Sequence, residues 1–61
     1  MKKSLKQLRK EKGLSVAFVA RHLHVSEASI RNKESGRTDF TLPEARALSR
    51  LYNESLDNIE L

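Results

Sequence analysis

Between Ser26 and Ser35 the chain carries a carboxylate, a guanidinium and a carboxamide at spacings that gather them on one side of a helix: Glu27, Arg31 and Asn32, with the small Ala28 among them. At about 100° per residue, Ala28 and Asn32 lie nearly opposite Ile30, the only large apolar residue of the stretch, and Glu27 and Arg31 flank them. A helix anchored inward by one side chain gains little from core burial, so its outer face is free for a partner. The chemistry on offer is planar hydrogen bonding. An Asn amide pairs bidentately with adenine, a guanidinium with guanine or a phosphate, a carboxylate accepts from cytosine, and an alanine methyl touches the thymine methyl. These are the groups that read base edges in the major groove of duplex DNA, and residues 27–35 are expected to form the helix that does so.

Such a helix needs a scaffold. Val16, Val19, Ala20 and Leu23 recur at i, i+3, i+4 and i+7 and predict a second helix just upstream, capped by Ser15 and separated from the first by a break of three or four residues. Val25 before an N-cap at Ser26, with Ile30 four positions into the helix, fits a hydrophobic staple that fixes the entry angle. Leu5 and Leu8 face inward from a helix over about Ser4 to Lys12, and Gly13 and Gly36 supply left-handed stops. Thr41 and Glu44 form a T-x-x-E capping box before a fourth helix that buries Ala45, Leu48, Leu51 and Tyr52. Asn53 takes positive φ as its C-cap, Ser55 caps a fifth helix, and Leu56 and Ile59 turn back to the core. The expectation is an all-α, five-helix bundle with no strand.

Sixty-one residues make one domain, 1–61, with a small core. The absence of Cys excludes a disulfide scaffold, a thiolate zinc finger and a redox motif, and fits a reducing compartment. The longest apolar run, Val16 to Ala20, is far too short to span a bilayer, and the Lys-rich start has no apolar core of a signal peptide. A cytoplasmic protein is expected. The net charge of +4 is divided unevenly, with ten Lys/Arg and three Asp/Glu in residues 1–37 against two and five in residues 38–61. A basic lobe would steer a polyanion to one side of the molecule.

Nearly the whole chain resembles the phage-repressor/Cro-like, or XRE, helix-turn-helix family. The resemblance rests on L-x-x-L-R at Leu5–Arg9, G-L-S at Gly13–Ser15 and V-A-x-x-L at Val19–Leu23. It continues in V-S-x-x-x-I at Val25–Ile30, E-x-G-R at Glu34–Arg37 and S-L-D-x-I at Ser55–Ile59. It implies a lambda-repressor-like DNA-binding bundle, a transcriptional regulator of the repressor kind, acting as a homodimer on double-stranded DNA. It also implies an ion pair between Arg9 and Glu34 that orients the reading helix, and dimerisation through Asn53, Leu56 and Leu61. Ser35, Arg37 and Thr38, just past the reading helix, are the first candidates for phosphate contact, followed by Lys2, Lys3, Lys6 and Arg21.

The sequence departs from the family in several places. His24 stands where Gly is common in the turn, and is read as a left-handed residue. Val16 replaces a common phosphate-binding Gln, leaving backbone N–H groups at that helix end to do the work. Phe18, where a polar residue is frequent, is read as a satellite core contact in preference to an exposed patch. Lys33 and Glu54 replace apolar residues, which implies looser packing around them. His22 and His24 cannot share a helix face, so no metal is expected, and no cofactor. The competing function is a protein-interaction module using Phe18, Val16 and Ala17. An enzyme is disfavoured: there is no Cys nucleophile, glycine-rich phosphate loop or Ser/His/Asp pattern. Membrane binding through the first helix fails because its apolar face is too narrow.

Overall fold

The computed structural model describes residues 2–61. Four α-helices carry the fold: α1 (Leu5–Glu11), α2 (Val16–Leu23), α3 (Glu27–Glu34) and α4 (Leu42–Leu51). Each begins the same way, with a side-chain oxygen on the residue before it accepting from the backbone N–H three positions on. Ser4 bonds Gln7, Ser15 bonds Phe18, Ser26 bonds Ser29 and Thr41 bonds Glu44. Around Ser4 and Thr41 the bond is reciprocated by the Gln7 and Glu44 side chains, which completes two capping boxes. A cap of this kind stabilises a helix by about 1 kcal/mol, which matters when no helix exceeds three turns.

The helices also end alike. A left-handed residue follows each last turn: Gly13 (φ 70°), His24 (φ 59°), Gly36 (φ 87°) and Asn53 (φ 54°). The next N–H then reaches back five residues, Leu14 to the Arg9 carbonyl at 3.0 Å, Val25 to Ala20 at 2.9 Å, Arg37 to Asn32 at 2.9 Å and Glu54 to Ser49 at 2.8 Å. These are Schellman closures, and they satisfy carbonyls that the helix ends would otherwise orphan. His24 therefore does occupy the left-handed turn between α2 and α3.

Packing follows the apolar periodicity. Leu5 and Leu8 from α1, Val19 and Ala20 from α2, Leu48 from α4 and Tyr52 just after it close around Ile30, and all are buried. Ile30, fully buried, is the only buried residue of α3. Leu14, Val16, Leu23, Val25, Phe40, Leu51 and Leu56 lie half-buried around that core.

Four expectations are corrected. Among the described residues there is no fifth α-helix: Ser55 caps a single 3₁₀ turn, Leu56–Asn58. Ile59 then becomes extended (φ −105°, ψ 130°), so the helix cannot propagate. The chain pairs instead as a two-residue parallel ladder, β1 (Lys3–Ser4) with β2 (Ile59–Glu60), which sets Lys3 opposite Ile59 and brings the two ends of the described chain together. Phe18 is not a core contact. It is 44% exposed and stacks on the His22 ring one turn along, with centroids 6.4 Å apart. Val16, Val19, Ala20 and Leu23 occupy the inward stripe of α2, and Phe18 lies about 100° away from Val19 on the outer side.

Lys33 and Glu54 do not loosen the packing. The Lys33 ammonium lies 2.6 and 2.7 Å from the two Glu44 carboxylate oxygens and 6.0 Å from the centre of the Phe40 ring, tying the end of α3 to the start of α4. Burial pushes the Glu44 carboxyl up, but bonds from Lys33 and Thr41 outweigh it and hold the group below its ordinary range. Glu54 accepts from the Asn58 amide and the Ser55 N–H, both at 3.2 Å, and braces the final turn.

Candidate nucleic-acid interface

The α2–turn–α3 unit presents one face of α3 outward because the other is pinned. Ile30 is inserted in the core, and Glu34, one turn further on, is held by Arg9 of α1. That contact is bidentate: Arg9 Nε donates to Glu34 Oε2 at 2.8 Å and Nη2 to Oε1 at 3.1 Å, while Nη1 donates to the Leu14 carbonyl at 2.9 Å. One side chain thereby fixes α3 against α1 and against the link to α2. The fork geometry is what a guanidinium provides and an ammonium does not.

On the outer face Glu27, Ala28 and Arg31 are exposed. Asn32 is half-buried, yet its side-chain amide makes no hydrogen bond among the described residues, so its donor and acceptor both stay available. Its backbone carbonyl has a separate role, accepting from Arg37 N–H at 2.9 Å and Thr38 N–H at 3.4 Å, which sets the path of the loop. Glu27 and Arg31 are not independent. Arg31 Nη2 donates to Glu27 Oε1 at 3.2 Å, one turn apart on the helix.

The charges sort themselves in the same lobe. Glu11 takes Lys3, Glu27 takes Arg31, Glu34 takes Arg9 and Glu44 takes Lys33. Within residues 2–37 this leaves Lys2, Lys6, Lys10, Lys12, Arg21 and Arg37 exposed with no carboxylate in ion-pair range among the described residues. Lys6 and Lys10 line one depression with Arg31, Ser35, the mutually paired Arg9 and Glu34, and Val16, the first residue of α2. Cations and a helix N-terminus thus converge beside the outer face of α3, which is the electrostatics an anionic backbone requires.

A larger open groove of about 580 Å³ also borders the end of α3, but its wall adds Asp39 and Glu60, which oppose an anion. Of the three loop residues expected at phosphate, Arg37 and Thr38 are exposed with free donors. The Ser35 hydroxyl already donates to the Asn32 carbonyl at 3.0 Å and must rotate to serve. Lys2 and Arg21 are exposed, whereas Lys3 is bound to Glu11 at 3.0 Å. Sequence reasoning misses Lys10. Its spacing of four from Lys6, which places both on one side of α1, is the available signal.

Asn53 is exposed at its left-handed turn, Leu56 is half-buried against the core and Leu61 is 72% exposed. No helix among the described residues is long and apolar enough to cross a membrane. Compared with known proteins, the chain matches a family described as a helix-turn-helix domain over residues 4–61, nearly its full length. Neither the curated proteins nor the solved structures contain a match.

Proposed function

Because the chain belongs to the helix-turn-helix domain family, a DNA-binding fold, we propose that it is a sequence-specific binder of double-stranded DNA that regulates transcription as a repressor. In this reading α3 enters the major groove with Glu27, Ala28, Arg31 and Asn32 toward base edges. Lys6, Lys10, Arg37 and Thr38 grip phosphates on either side, with Ser35 joining after its hydroxyl rotates. The observation that carries the reading is the division of α3 into a pinned face, Ile30 and Glu34, and an outward polar face bordered by unpaired cations. A free helix face next to positive potential is what groove insertion needs.

One short helix covers only a few base pairs, so a homodimer on a two-fold site is part of the proposal, with half-sites about 34 Å apart or a multiple of that. Asn53 and the exposed Leu61 are the contact residues it uses, with Leu56 behind them. A cytoplasmic location accompanies this reading. A second reading draws on the exposed Phe18 and His22 stack as a protein-docking patch. Val16 and Ala17 are half-buried, which leaves that patch small.

The test separates reading from gripping. Asn32→Ala should relax preference at one position of each half-site by about 1–3 kcal/mol. Arg37→Ala should weaken binding to all duplexes alike and flatten the dependence of log K on log salt by about 0.9 for each phosphate no longer neutralised. If Asn32→Ala lowers specific and non-specific affinity equally, α3 is not the reading element. If the unsubstituted chain binds no duplex even at low salt, the docking patch becomes the better account.

A further inference from the structure

Arg31 stands where two surfaces meet. It belongs to the outward face of α3, and it also lines the depression that holds Lys6, Lys10 and Ser35. The two settings give a guanidinium opposite uses, since bonding to a guanine edge carries sequence information and bonding to a phosphate carries none. Glu27 is what distinguishes them. It is the first residue of α3, at the end that enters a groove, and its Oε1 takes Arg31 Nη2 at 3.2 Å. Only one of the five guanidinium N–H donors is spent, so the rest remain for a ligand.

A carboxylate on a face meant for a polyanion repels every phosphate it approaches, whatever the base sequence. It weakens general binding without improving the fold much: the pair is exposed, at 63% and 49% of the two side chains, where such bridges contribute little. Resting on the DNA-reading function proposed above, but replacing the direct base contact given there to Glu27, we infer that Glu27 is a specificity-determining positioning residue. It holds Arg31 to the N-terminal end of α3, in competition with phosphate bound at the depression beside Lys6 and Lys10 that Arg31 also borders. Without Glu27, Arg31 becomes one more phosphate grip.

The experiment compares binding of a duplex selected from a random pool with a scrambled duplex of the same composition, across a series of potassium chloride concentrations. The full chain is measured unsubstituted and as Glu27→Ala, Glu27→Gln, Arg31→Ala and the Glu27→Ala/Arg31→Ala double variant. Glu27→Ala should bind the scrambled duplex more tightly, with a salt slope steeper by about 0.9 per subunit. Its selected-to-scrambled ratio should fall as far as that of Arg31→Ala, roughly 5- to 150-fold, and at the same base pair. The double variant should lose no more of the ratio than Arg31→Ala alone. Glu27→Gln keeps an acceptor oxygen without the charge and should recover part of the ratio.

An unchanged ratio in Glu27→Ala overturns the inference and leaves DNA reading intact. So does relaxation by Glu27→Ala of a base pair of its own in the Arg31→Ala background, which makes Glu27 a direct reader. Absence of any sequence preference in the unsubstituted chain overturns the proposed function and this inference with it.

Discussion

Removing the Glu34 carboxylate is the perturbation whose size the structure fixes best. Arg9 meets it with two donors, at 2.8 and 3.1 Å, and the two side chains are only 10% and 6% exposed. Hydrogen bonding to Glu34 holds the Arg9 guanidinium above its ordinary value against the opposing effect of burial, so the cation persists. Glu34→Ala leaves that charge buried and uncompensated, a loss of about 3–5 kcal/mol. A domain of this length has a total stability of roughly 3–9 kcal/mol, taking about 0.05–0.15 kcal/mol per residue. The single substitution therefore removes between about a third of the stability and all of it.

Removing both charges together, as Arg9→Met/Glu34→Leu, exchanges the pair for apolar volume. The main remaining cost is the Leu14 carbonyl, which loses its bond from Arg9 Nη1 and accounts for about 1–3 kcal/mol. The double variant should thus be more stable than Glu34→Ala. Urea denaturation followed by far-ultraviolet circular dichroism, on wild type, both single variants and the double, measures the coupling directly. A loss under about 1 kcal/mol for Glu34→Ala, or a double variant that loses the sum of its singles, refutes the reasoning.

Other consequences can be checked on the same instrument. His24→Gly relieves a left-handed non-glycine residue and should raise stability by about 0.5–1 kcal/mol, while the β-branched His24→Val should lower it; equal melting temperatures contradict the role of the turn. The Tyr52 hydroxyl is buried without a hydrogen-bond partner among the described residues, so Tyr52→Phe should be neutral or stabilising by about 1 kcal/mol, and a marked loss means the oxygen is bonded. Burial, helped by the Glu34 charge, pushes the Tyr52 phenol up to about 12. Its neutral form is the one the fold favours, so this contribution is intact below the unfolded value near 10 and is lost as pH rises toward 12, a decline Tyr52→Phe should abolish. Glu44 runs the other way: its lowered value contributes stability that is present above the ordinary carboxylate range and is lost as pH falls through the folded value. Glu44→Gln should therefore reduce the acid sensitivity, and an unaltered acid transition excludes this source.

Features carried by local chemistry are legible in the sequence. Ser15, Ser26 and Thr41 cap helices because a short oxygen before an apolar run has few better uses, and Gly13 and Gly36 mark stops because positive φ is cheap only for glycine. His24 can be placed in the same conformation because the family it resembles often carries Gly at that turn and His tolerates positive φ better than most residues, and Asn53 because Asn takes positive φ readily after a helix. The β1–β2 ladder is not legible, since two residues per strand are too few to show a period of two and their partner lies at the far end of the chain. Lys33 looks like a misplaced charge in the sequence because its partner, Glu44, already has a use in a capping box; one carboxylate serves both. The outward face of α3 follows from Ile30 alone, but the coupling of Glu27 to Arg31 escapes a reading that takes residues singly, although their spacing of four is in view. Side chains considered one at a time are each assigned a ligand, when neighbours can hold one another.

Sequencing the duplexes that the full chain enriches from a random pool tests the central claim most directly, because α3 either reads base edges or does not. The account predicts a convergent motif in two inverted halves separated by about one helical turn, or a multiple of it, with the motif's preferences weakened in Arg31→Ala and Asn32→Ala. A pool that stays random through successive rounds, or a motif untouched by either substitution, contradicts it.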